Sequence, residues 1–272
     1  MNDHSLRTLL LAGLFTLLLS CGDDEGPASS TEILSFSING TEGIIDPSSN
    51  TIQLDLFEPD ITSLSPSILI SDNATIQPPS GVSQDFTNPV LYTVTGGDGS
   101  TEEYTVTVSS LVTSVSLNGK DYEIVQTNMN WINAADFASS RGGYLAEING
   151  ADEQDAIFGA LRNAGIDNRN TVAPDGGGAS YIWLGGNDLA TEGEWIWDGD
   201  NDDDGMQFWM GSFNGTPVDD LYNNWSPGAE PDNFGTGQNV LAIALTDWPF
   251  GSAGQWNDIF RTNELYFIIE FD

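Results

Sequence analysis

The chain has 272 residues, with 41 Asp and Glu against 6 Lys and Arg, and a formal net charge of −35. Proteins that bind nucleic acids need a basic surface to neutralise phosphates, so this composition excludes them. The one histidine, His4, and the one cysteine, Cys21, lie at the amino terminus, which excludes catalytic triads, His-ligated zinc and structural disulfides. The abundant side chains that remain are carboxylates. They can bind calcium, or they can act in pairs as the acid and base of a glycosidase.

The amino terminus has the pattern of an export signal. Arg7 precedes the apolar run 9–19, which is too short to span a bilayer. Leu18-Leu19-Ser20-Cys21 resembles the lipobox of bacterial lipoproteins, so we expect a signal peptide over residues 1–20 and a membrane anchor on lipidated Cys21. An ordinary secretory peptide is the alternative. The acidic start of the linker 21–31 resembles the signal that sends Bacteroidota lipoproteins to the cell surface, although a solvated linker has the same composition.

The composition divides the mature chain near residues 111–117. All eight Trp lie at position 131 or later, and Lys and Arg are absent between positions 8 and 119. Residues 32–110 alternate apolar and polar side chains in the manner of half-buried strands, at 33–38, 52–56, 68–70, 91–95 and 104–108. The last two runs flank Gly96-Gly97-Asp98-Gly99, which predicts a hairpin. This region resembles immunoglobulin-like or cadherin-like sandwiches, which implies an all-β spacer; direct ligand binding is the alternative.

The pattern changes over residues 117–272 to a mixture of helix and strand. A strand is predicted at 122–125, a helix at 131–141 that Gly142-Gly143 ends, and a second helix at 152–164. Trp-rich and Gly-rich segments follow, with long loops between them. Long loops in a compact domain usually carry function, so the loops after residue 180 are the candidate site.

Several motifs in this second region agree in order and spacing with one family. They are Trp131-Ile132-Asn133-Ala134-Ala135, Gly142-Gly143-Tyr144-Leu145-Ala146-Glu147-Ile148, Tyr181-Ile182-Trp183-Leu184-Gly185-Gly186-Asn187-Asp188, Glu192-Gly193-Glu194-Trp195-Ile196-Trp197, Asn224-Trp225, Glu230-Pro231-Asp232, Trp256-Asn257-Asp258 and Phe267-Ile268-Ile269-Glu270. Together they resemble a C-type lectin domain. The resemblance implies an α+β fold with two helices, small antiparallel sheets and a long calcium-binding loop. It also implies that Trp183, Trp195, Trp197 and Trp225 belong to the core.

The resemblance further implies a calcium site. Calcium takes about 6 to 8 oxygen ligands, which loops must bring together. In the family, a triplet in the long loop and an Asn-Asp pair on the next strand supply them. The corresponding residues here are Glu230, Asp232, Asn257 and Asp258, with Gln238 at a position that the family usually fills with Glu. A cis peptide bond before Pro231 is implied as well.

Two further groups are candidates for additional ions. The positions of the family's auxiliary calcium site are occupied by Asp188, Glu192, Asn233 and Asn239. The run 198–205 contains five Asp and resembles part of a calcium loop, but Gly211 stands where an EF-hand loop starting at Asp200 needs Glu. A solvated acidic insertion that orders only with cations is therefore the favoured interpretation of that run, and an additional ion is the alternative.

These observations predict a calcium-dependent glycan-binding protein at the cell surface or outer membrane. The expected carbohydrate contacts are Glu230, Asp232, Gln238, Asn257 and Trp248, with Phe250 as a second aromatic candidate. Glu-Pro-Asp is neither the mannose-type nor the galactose-type triplet, so no sugar is assigned. The main alternative is a lectin-like domain that binds a protein or another non-sugar ligand. A glycosidase using the acids of 230–258 is disfavoured, because a cation at the site keeps a general acid ionised.

Overall fold

A computed structural model describes residues 30–272. The predicted signal peptide 1–20, the lipidation site Cys21 and nearly all of the linker 21–31 lie outside the described residues. Within residues 30–272, no helix combines the length and the apolar character that crossing a membrane requires.

The first unit is built only of strands, which form two sheets. A three-stranded sheet has the order β2-β1-β5, and a five-stranded sheet has the order β3-β4-β8-β7-β6, in which β4 and β8 run parallel. The strands are β1 (Ile33–Ile38), β2 (Thr41–Glu42), β3 (Ile44–Asp46), β4 (Thr51–Leu56), β5 (Ser67–Ile70), β6 (Thr75–Gln77), β7 (Val90–Thr95) and β8 (Thr101–Ser110).

The core of the first unit lies between its two sheets. In β4, Ile52, Leu54 and Leu56 are buried while the residues between them are exposed, which is the alternation read from the sequence. Across the core, the rings of Phe36 from β1 and Tyr92 from β7 meet edge to face at 5.4 Å. The predicted hairpin is confirmed, because β7 and β8 pair antiparallel on either side of the glycine-rich turn.

The second unit is mostly β with two helices. Its strands are β9 (Val112–Leu117), β10 (Lys120–Met129), β11 (Tyr144–Leu145), β12 (Tyr181–Asn187), β13 (Glu194–Trp197), β14 (Met206–Met210), β15 (Thr216–Pro217), β16 (Gln238–Ala244), β17 (Trp256–Phe260) and β18 (Leu265–Phe271). They form one sheet with the path β15-β14-β13-β12-β18-β10-β9, to which β11 adds on β18, and β16 and β17 add beside β12.

Both predicted helices are present, and local sequence explains their ends. Helix α1 (Trp131–Ser140) begins where the Asn130 side chain accepts from the backbone N–H of Asn133, and it ends at Arg141 before Gly142, whose φ is +85°. Helix α2 (Ala151–Asn163) carries two acidic residues in its first turn, where they oppose the positive end of the helix dipole.

Two apolar clusters make up the core of the second unit. The first includes Trp131 and Trp183, whose indole N–H groups donate to Leu184 O and Met129 O over 2.8 and 2.9 Å. The second includes the buried rings of Trp195, Trp197 and Trp225. The predicted core role of the four motif tryptophans is therefore confirmed.

The two units are joined without a linker. β8 ends at Ser110 and β9 begins at Val112, so a single residue, Leu111, separates them. The predicted junction 111–117 is thus mostly the strand β9, which pairs with β10. Leu111 N donates to Leu56 O, and Leu111 O accepts from Gln126 N, both over 2.8 Å. The connecting residue is therefore hydrogen-bonded to both units.

Side chains also cross the junction. The ring of Phe57, next to β4, lies 5.0 Å from the ring of Phe137 on α1. Arg141 forms a salt bridge with Glu123 on β10 and donates from Nη1 to Phe57 O over 3.2 Å. These contacts fix the second unit against the end of the first.

Candidate metal centre

The candidate site lies where the long loop between β15 and β16 meets strand β17. β16 and β17 pair antiparallel, with Leu241 opposite Asp258 and Ala242 opposite Asn257. A bridge between Trp225 and Trp256 holds the start of the loop beside β17. The Glu230–Pro231 peptide bond is cis, as the family resemblance implied.

Three of the predicted ligands come together. Carboxylate oxygens of Glu230, Asp232 and Asp258 lie within 4.8 Å of one another, although the residues are up to 28 positions apart. Glu230 and Asp258 are buried and Asp232 is exposed. The basic residues that form ion pairs in residues 30–272 are Lys120, Arg141 and Arg169, and none of them pairs with these acids. The described protein therefore gives this concentrated negative charge no salt-bridge partner.

The carboxylates raise one another's pKa. Burial, together with repulsion from Asp258 and Asp232, raises the pKa of Glu230 to about 8. Burial likewise raises the pKa of Asp258 to about 7, although it accepts from the backbone N–H groups of Asn233 and Asp232 over 2.7 and 3.1 Å. Glu230 Oε2 is buried and has no hydrogen-bond partner. A divalent cation at this point would restore the ionised forms and supply the missing partner.

Asn257 adds an amide to the site. Its Nδ2 donates to the hydroxyl of Tyr181 over 2.9 Å, and that hydroxyl donates to Gly176 O over 2.7 Å. Burial raises the pKa of Tyr181, so the phenol stays protonated and keeps this donor role. The amide nitrogen carries only N–H donors, one of which Tyr181 takes, so the amide oxygen is the atom that can face an ion.

Gln238 lies in the same cavity but also braces the loop. Its Oε1 accepts from Phe234 N over 2.7 Å, and its Nε2 donates to Asp175 O over 3.2 Å. An amide oxygen has two lone pairs, so one remains for an ion. Gln238 is thus both a loop anchor and a possible ligand.

Asp175 is a site residue that the sequence prediction missed. Its carboxylate accepts from Phe260 N and from Asn263 Nδ2, each over 2.7 Å, and it lines the cavity beside Gln238. The sequence signal that could have indicated it is the run 174–178, which contains Pro174 and three glycines and is typical of a turn. Only glycine fits at position 176, because a Cβ there would lie 2.6 Å from the Tyr181 ring.

These residues surround a cavity of about 230 Å³. Its lining consists of Pro174, Asp175, Gly176, Gly177, Glu230, Asp232, Phe234, Gln238, Trp248, Phe250 and Asn257. Four of the five predicted metal ligands belong to this lining, and Asp258 reaches the cluster from β17 beneath it.

The aromatic residues of the cavity divide into wall and rim. Trp248 is only 7% exposed, packs edge to face on Tyr181 at 5.9 Å, and donates from Nε1 to Glu230 Oε1 over 3.3 Å. Phe250 and Phe234 are 68% and 65% exposed. Of the two aromatic residues predicted to flank a ligand, Trp248 therefore forms the buried wall, and Phe250 lies on the accessible rim with Phe234.

The structure brings together three of the four residues predicted for an auxiliary calcium site. Asn239 Nδ2 donates to Asp188 Oδ1 over 2.9 Å and to Glu192 Oε2 over 3.4 Å. Burial raises the pKa of Asp188 to about 6. Asn233, the fourth predicted member, instead hydrogen-bonds with Gln238 and Asp258 and so belongs to the main site.

The acidic run 198–205 also brings carboxylates together. Oxygens of Asp198, Asp200 and Asp202 lie within 4.8 Å of one another. Asp198 is buried and uses both of its oxygens, accepting from Asn187 Nδ2 over 3.2 Å and from Asp202 N over 2.9 Å. These bonds give Asp198 a structural role in the loop, while Asp200 and Asp202 are exposed.

Comparisons with known proteins give one family model and several similar proteins. Residues 33–108 match the family model described as SGBP, N-terminal, which coincides with the first unit. Salivary C-type lectin 1 of Aedes albopictus is 26% identical over 144 residues, which is 52% of this chain and 75% of that protein. That stretch is longer than residues 1–110, so part of it falls on the second unit. This similarity supports a C-type lectin-like fold in the chain.

Two further proteins are similar to the chain. The galactose-specific lectin nattectin of Thalassophryne nattereri is 33% identical over 70 residues, which is 26% of this chain and 37% of that lectin. The carbohydrate-recognition domain of cow CD23, solved in the presence of an oligosaccharide, is 25% identical, with a TM-score of 0.39 over 58% of this chain and 91% of that domain. The chain thus spans three quarters of the mosquito lectin but little more than a third of the fish lectin.

Proposed function

We propose that this protein binds carbohydrate through a calcium ion held by Glu230, Asp232, Gln238, Asn257 and Asp258. The observation that carries the proposal is the cluster of three carboxylates within 4.8 Å, with two of the acids buried and no salt-bridge partner among residues 30–272. A buried, unpaired negative cluster is costly unless a cation compensates it. The sequence similarity to curated lectins supports carbohydrate as the ligand class.

The donor set fits calcium better than a transition metal. Every candidate ligand is a carboxylate or an amide, and hard oxygen donors suit Ca²⁺. His4 and Cys21 are the only imidazole and thiol of the chain, and both lie far from these residues in sequence. The five side chains leave room in a shell of about 6 to 8 ligands for water or sugar hydroxyls.

The same residues supply polar contacts for a sugar. Glu230 and Asp232 accept hydrogen bonds when ionised, whereas the amides of Gln238 and Asn257 also donate. Since Asn257 has two N–H donors and Tyr181 takes one, a second remains for a hydroxyl group. This arrangement binds hydroxyls and offers no free general acid once a cation is bound, so we propose a binding protein and not an enzyme.

Calcium titration tests the metal part of the proposal. Isothermal calorimetry should detect calcium binding to the purified protein, and Glu230→Gln, which removes one charge at constant shape, should abolish it. Glu194→Gln, an exposed acid on β13, is the matched control and should bind like the wild type. The absence of calcium uptake by the wild type would refute the calcium site.

A glycan array tests the ligand class. Binding that disappears on addition of chelator and in Glu230→Gln would support a calcium-dependent lectin. Calcium uptake without any glycan signal would favour the alternative, a lectin-like domain that recognises a protein or another non-sugar ligand. The exposed rings of Phe234 and Phe250 give that alternative a contact surface.

We also propose that the protein is a lipoprotein displayed on the outer membrane or cell surface. Lipidated Cys21 would anchor it, residues 21–31 would form the linker, and the all-β unit of 32–110 would be an immunoglobulin-like spacer below the binding domain. Metabolic labelling with a fatty acid should mark the wild type and not Cys21→Ala. Unlabelled wild-type protein in the soluble fraction would contradict the anchor.

A further inference from the structure

Asp175 lies in a turn that is closed by its own hydrogen bonds. At the base of the turn, Ala173 N donates to Ala179 O over 2.9 Å, and both alanines are buried. Inside it, Gly178 N donates to Ala173 O over 3.1 Å. The backbone of this 173–179 turn therefore fixes the point from which the Asp175 side chain extends.

The carboxylate of Asp175 is oriented by two further donors. Oδ2 accepts from Phe260 N at the end of β17, and Oδ1 accepts from Asn263 Nδ2, each over 2.7 Å. Asn263 is held in its turn, because its Nδ2 and its backbone N–H both donate to Phe260 O, over 2.9 and 3.0 Å. These bonds orient both oxygens of Asp175 without any contribution from Gln238.

Gln238 meets this carboxylate through its amide nitrogen. Nε2 donates to Asp175 Oδ2 over 3.3 Å and to Asp175 O over 3.2 Å, and Gln238 is only 2% exposed. The pairing directs Oε1 away from Asp175, since an amide carries its donors and its acceptor on different atoms. Oε1 accepts from Phe234 N, which also donates to Asp232 Oδ1 over 2.9 Å. The amide oxygen therefore lies toward the clustered carboxylates.

The same geometry accounts for an amide at position 238. Asp175 Oδ2 has to remain an acceptor, because the backbone N–H of Phe260 is always a donor. A carboxylate at position 238 would place a second negative acceptor against that oxygen, where like charges repel. An amide can donate to Asp175 and still offer an oxygen to a cation. Asp175 does not belong to the group of three clustered carboxylates, so its effect on an ion passes through Gln238.

We propose that Asp175 is a positioning residue of the metal centre, which holds the side-chain amide of Gln238 with its oxygen toward the cation. The inference rests on the proposed function, because it takes Gln238 as a calcium ligand. It adds to the predicted ligands a part of the chain, the 173–179 turn, that lies 63 positions from Gln238 in sequence. Loss of Asp175 should therefore change the ligand shell of the ion as well as the stability of the fold.

Calcium titration and europium luminescence test this role. Asp175→Ala should weaken calcium binding about tenfold, the scale on which groups that orient metal ligands act. Europium(III) also takes oxygen ligands, and its luminescence lifetimes in H₂O and D₂O count the water molecules bound to it. If the Gln238 oxygen leaves the shell, about one additional water should replace it in Asp175→Ala. A purely structural role would leave that number unchanged.

Two further variants separate positioning from stability. Asn263→Ala removes one partner of Asp175 and leaves its bond with Gln238, so it should lower the melting temperature but keep the calcium affinity and the water count. Gln238→Ala should gain the same water as Asp175→Ala. The double variant should then bind calcium like Gln238→Ala alone, and additive losses would overturn the inference.

A measurement on the wild type does not depend on how well the variants fold. The side-chain NH₂ signal of Gln238 in NMR spectra, assigned by its absence in Gln238→Ala, should be protected from solvent exchange both before and after calcium is added. Rapid exchange would overturn the positioning role.

The failures of the two proposals are distinguishable. Calcium uptake by the wild type with an unchanged affinity and water count in Asp175→Ala would overturn this inference and leave the proposed function standing. Absence of calcium uptake by the wild type would refute the proposed function, and the inference with it.

Discussion

Asn257 Nδ2 donates to the hydroxyl of Tyr181 over 2.9 Å, which joins a predicted metal ligand on β17 to the next strand but one in the sheet. The same hydroxyl donates to Gly176 O, in the turn that carries Asp175. One phenol therefore orients the amide of Asn257 and holds the opposite wall of the cavity.

Tyr181→Phe should weaken calcium binding about tenfold, which is the scale on which groups that orient metal ligands act. The change leaves a buried N–H of Asn257 without a partner and leaves the Gly176 carbonyl with only the long bond from Ala179 N, over 3.5 Å. We therefore also expect a loss of about 1–2 kcal/mol in the free energy of unfolding. Calorimetry and chemical denaturation measure the two effects. Tyr266→Phe, a buried tyrosine in the other core cluster, is the control; equal calcium affinities in all three proteins would contradict the orienting role.

Lys120→Met should destabilise the second unit. Lys120 pairs with the buried carboxylate of Glu270 and, over 3.1 Å, with Glu153. Removing the partner of a buried charge is strongly destabilising, but solvent screens this pair because the Lys120 side chain is 44% exposed. We therefore expect the free energy of unfolding to fall by about 2 kcal/mol. The double variant Lys120→Met with Glu270→Gln should recover most of it in thermal denaturation.

Arg169→Met is the matched control for this pair. Arg169 also forms a salt bridge, with Asp167, but both side chains are solvated. Its loss should leave the melting temperature unchanged, because exposed ion pairs contribute little. A similar drop in both variants would mean that the burial of Glu270 is not the source of the effect.

Glu147→Gln should make stability less dependent on pH. Burial, and then repulsion from Glu270, raise the pKa of Glu147 from 4.5 to about 7. The folded protein therefore holds a proton that the unfolded chain releases, so this carboxyl favours the fold below about pH 4.5 and loses that contribution as the pH rises to about 7. The variant should exceed the wild type by about 1–2 kcal/mol at pH 8 and match it near pH 5. Parallel pH profiles in urea denaturation would contradict this account.

Phe57→Ala should loosen the junction between the two units. The ring is partly buried against Phe137, so its removal should cost about 1–2 kcal/mol, less than for a fully buried phenylalanine. NMR relaxation should give one correlation time for both units of the wild type and separate times for the variant. Leu91→Ala, on the surface of the first unit, should leave the single correlation time in place.

Local patterns predicted the long elements well and the short ones poorly. Helix α1 has capping signals at Asn130 and Gly142, and α2 has acidic residues in its first turn. Strands β2, β3 and β6 have only two or three residues, too few for an alternation to be visible, and the sequence interpretation omitted them. β2 pairs with β1, β3 with β4 and β6 with β7, so each short strand is held by a longer strand nearby in the chain.

The site was predictable where motifs held its residues together. The structure brings Glu230, Asp232 and Asp258 together, as expected from a family resemblance that specified both segments. Asp175 was missed because it is 63 positions away from Gln238 in sequence. The two side chains meet only once the 174–178 turn has folded against β16. Two side chains only two positions apart, Trp248 and Phe250, differ in burial because a tight turn back to Gly251 covers the indole. A Cβ on Gly251 would lie 2.2 Å from that ring, and this packing relationship has no periodic signal in sequence.

The single residue Leu111 has a consequence for many copies acting together. A linker of several residues would let each binding domain turn to find its ligand, at an entropic cost for every copy that docks. Here the chain itself fixes the second unit against the first, so copies anchored as proposed would turn only about the segment that precedes the first unit. Their combined attachment to a repeating polymer would then depend on the spacing between neighbours and on the freedom of the proposed linker 21–31, and not on motion between the two units.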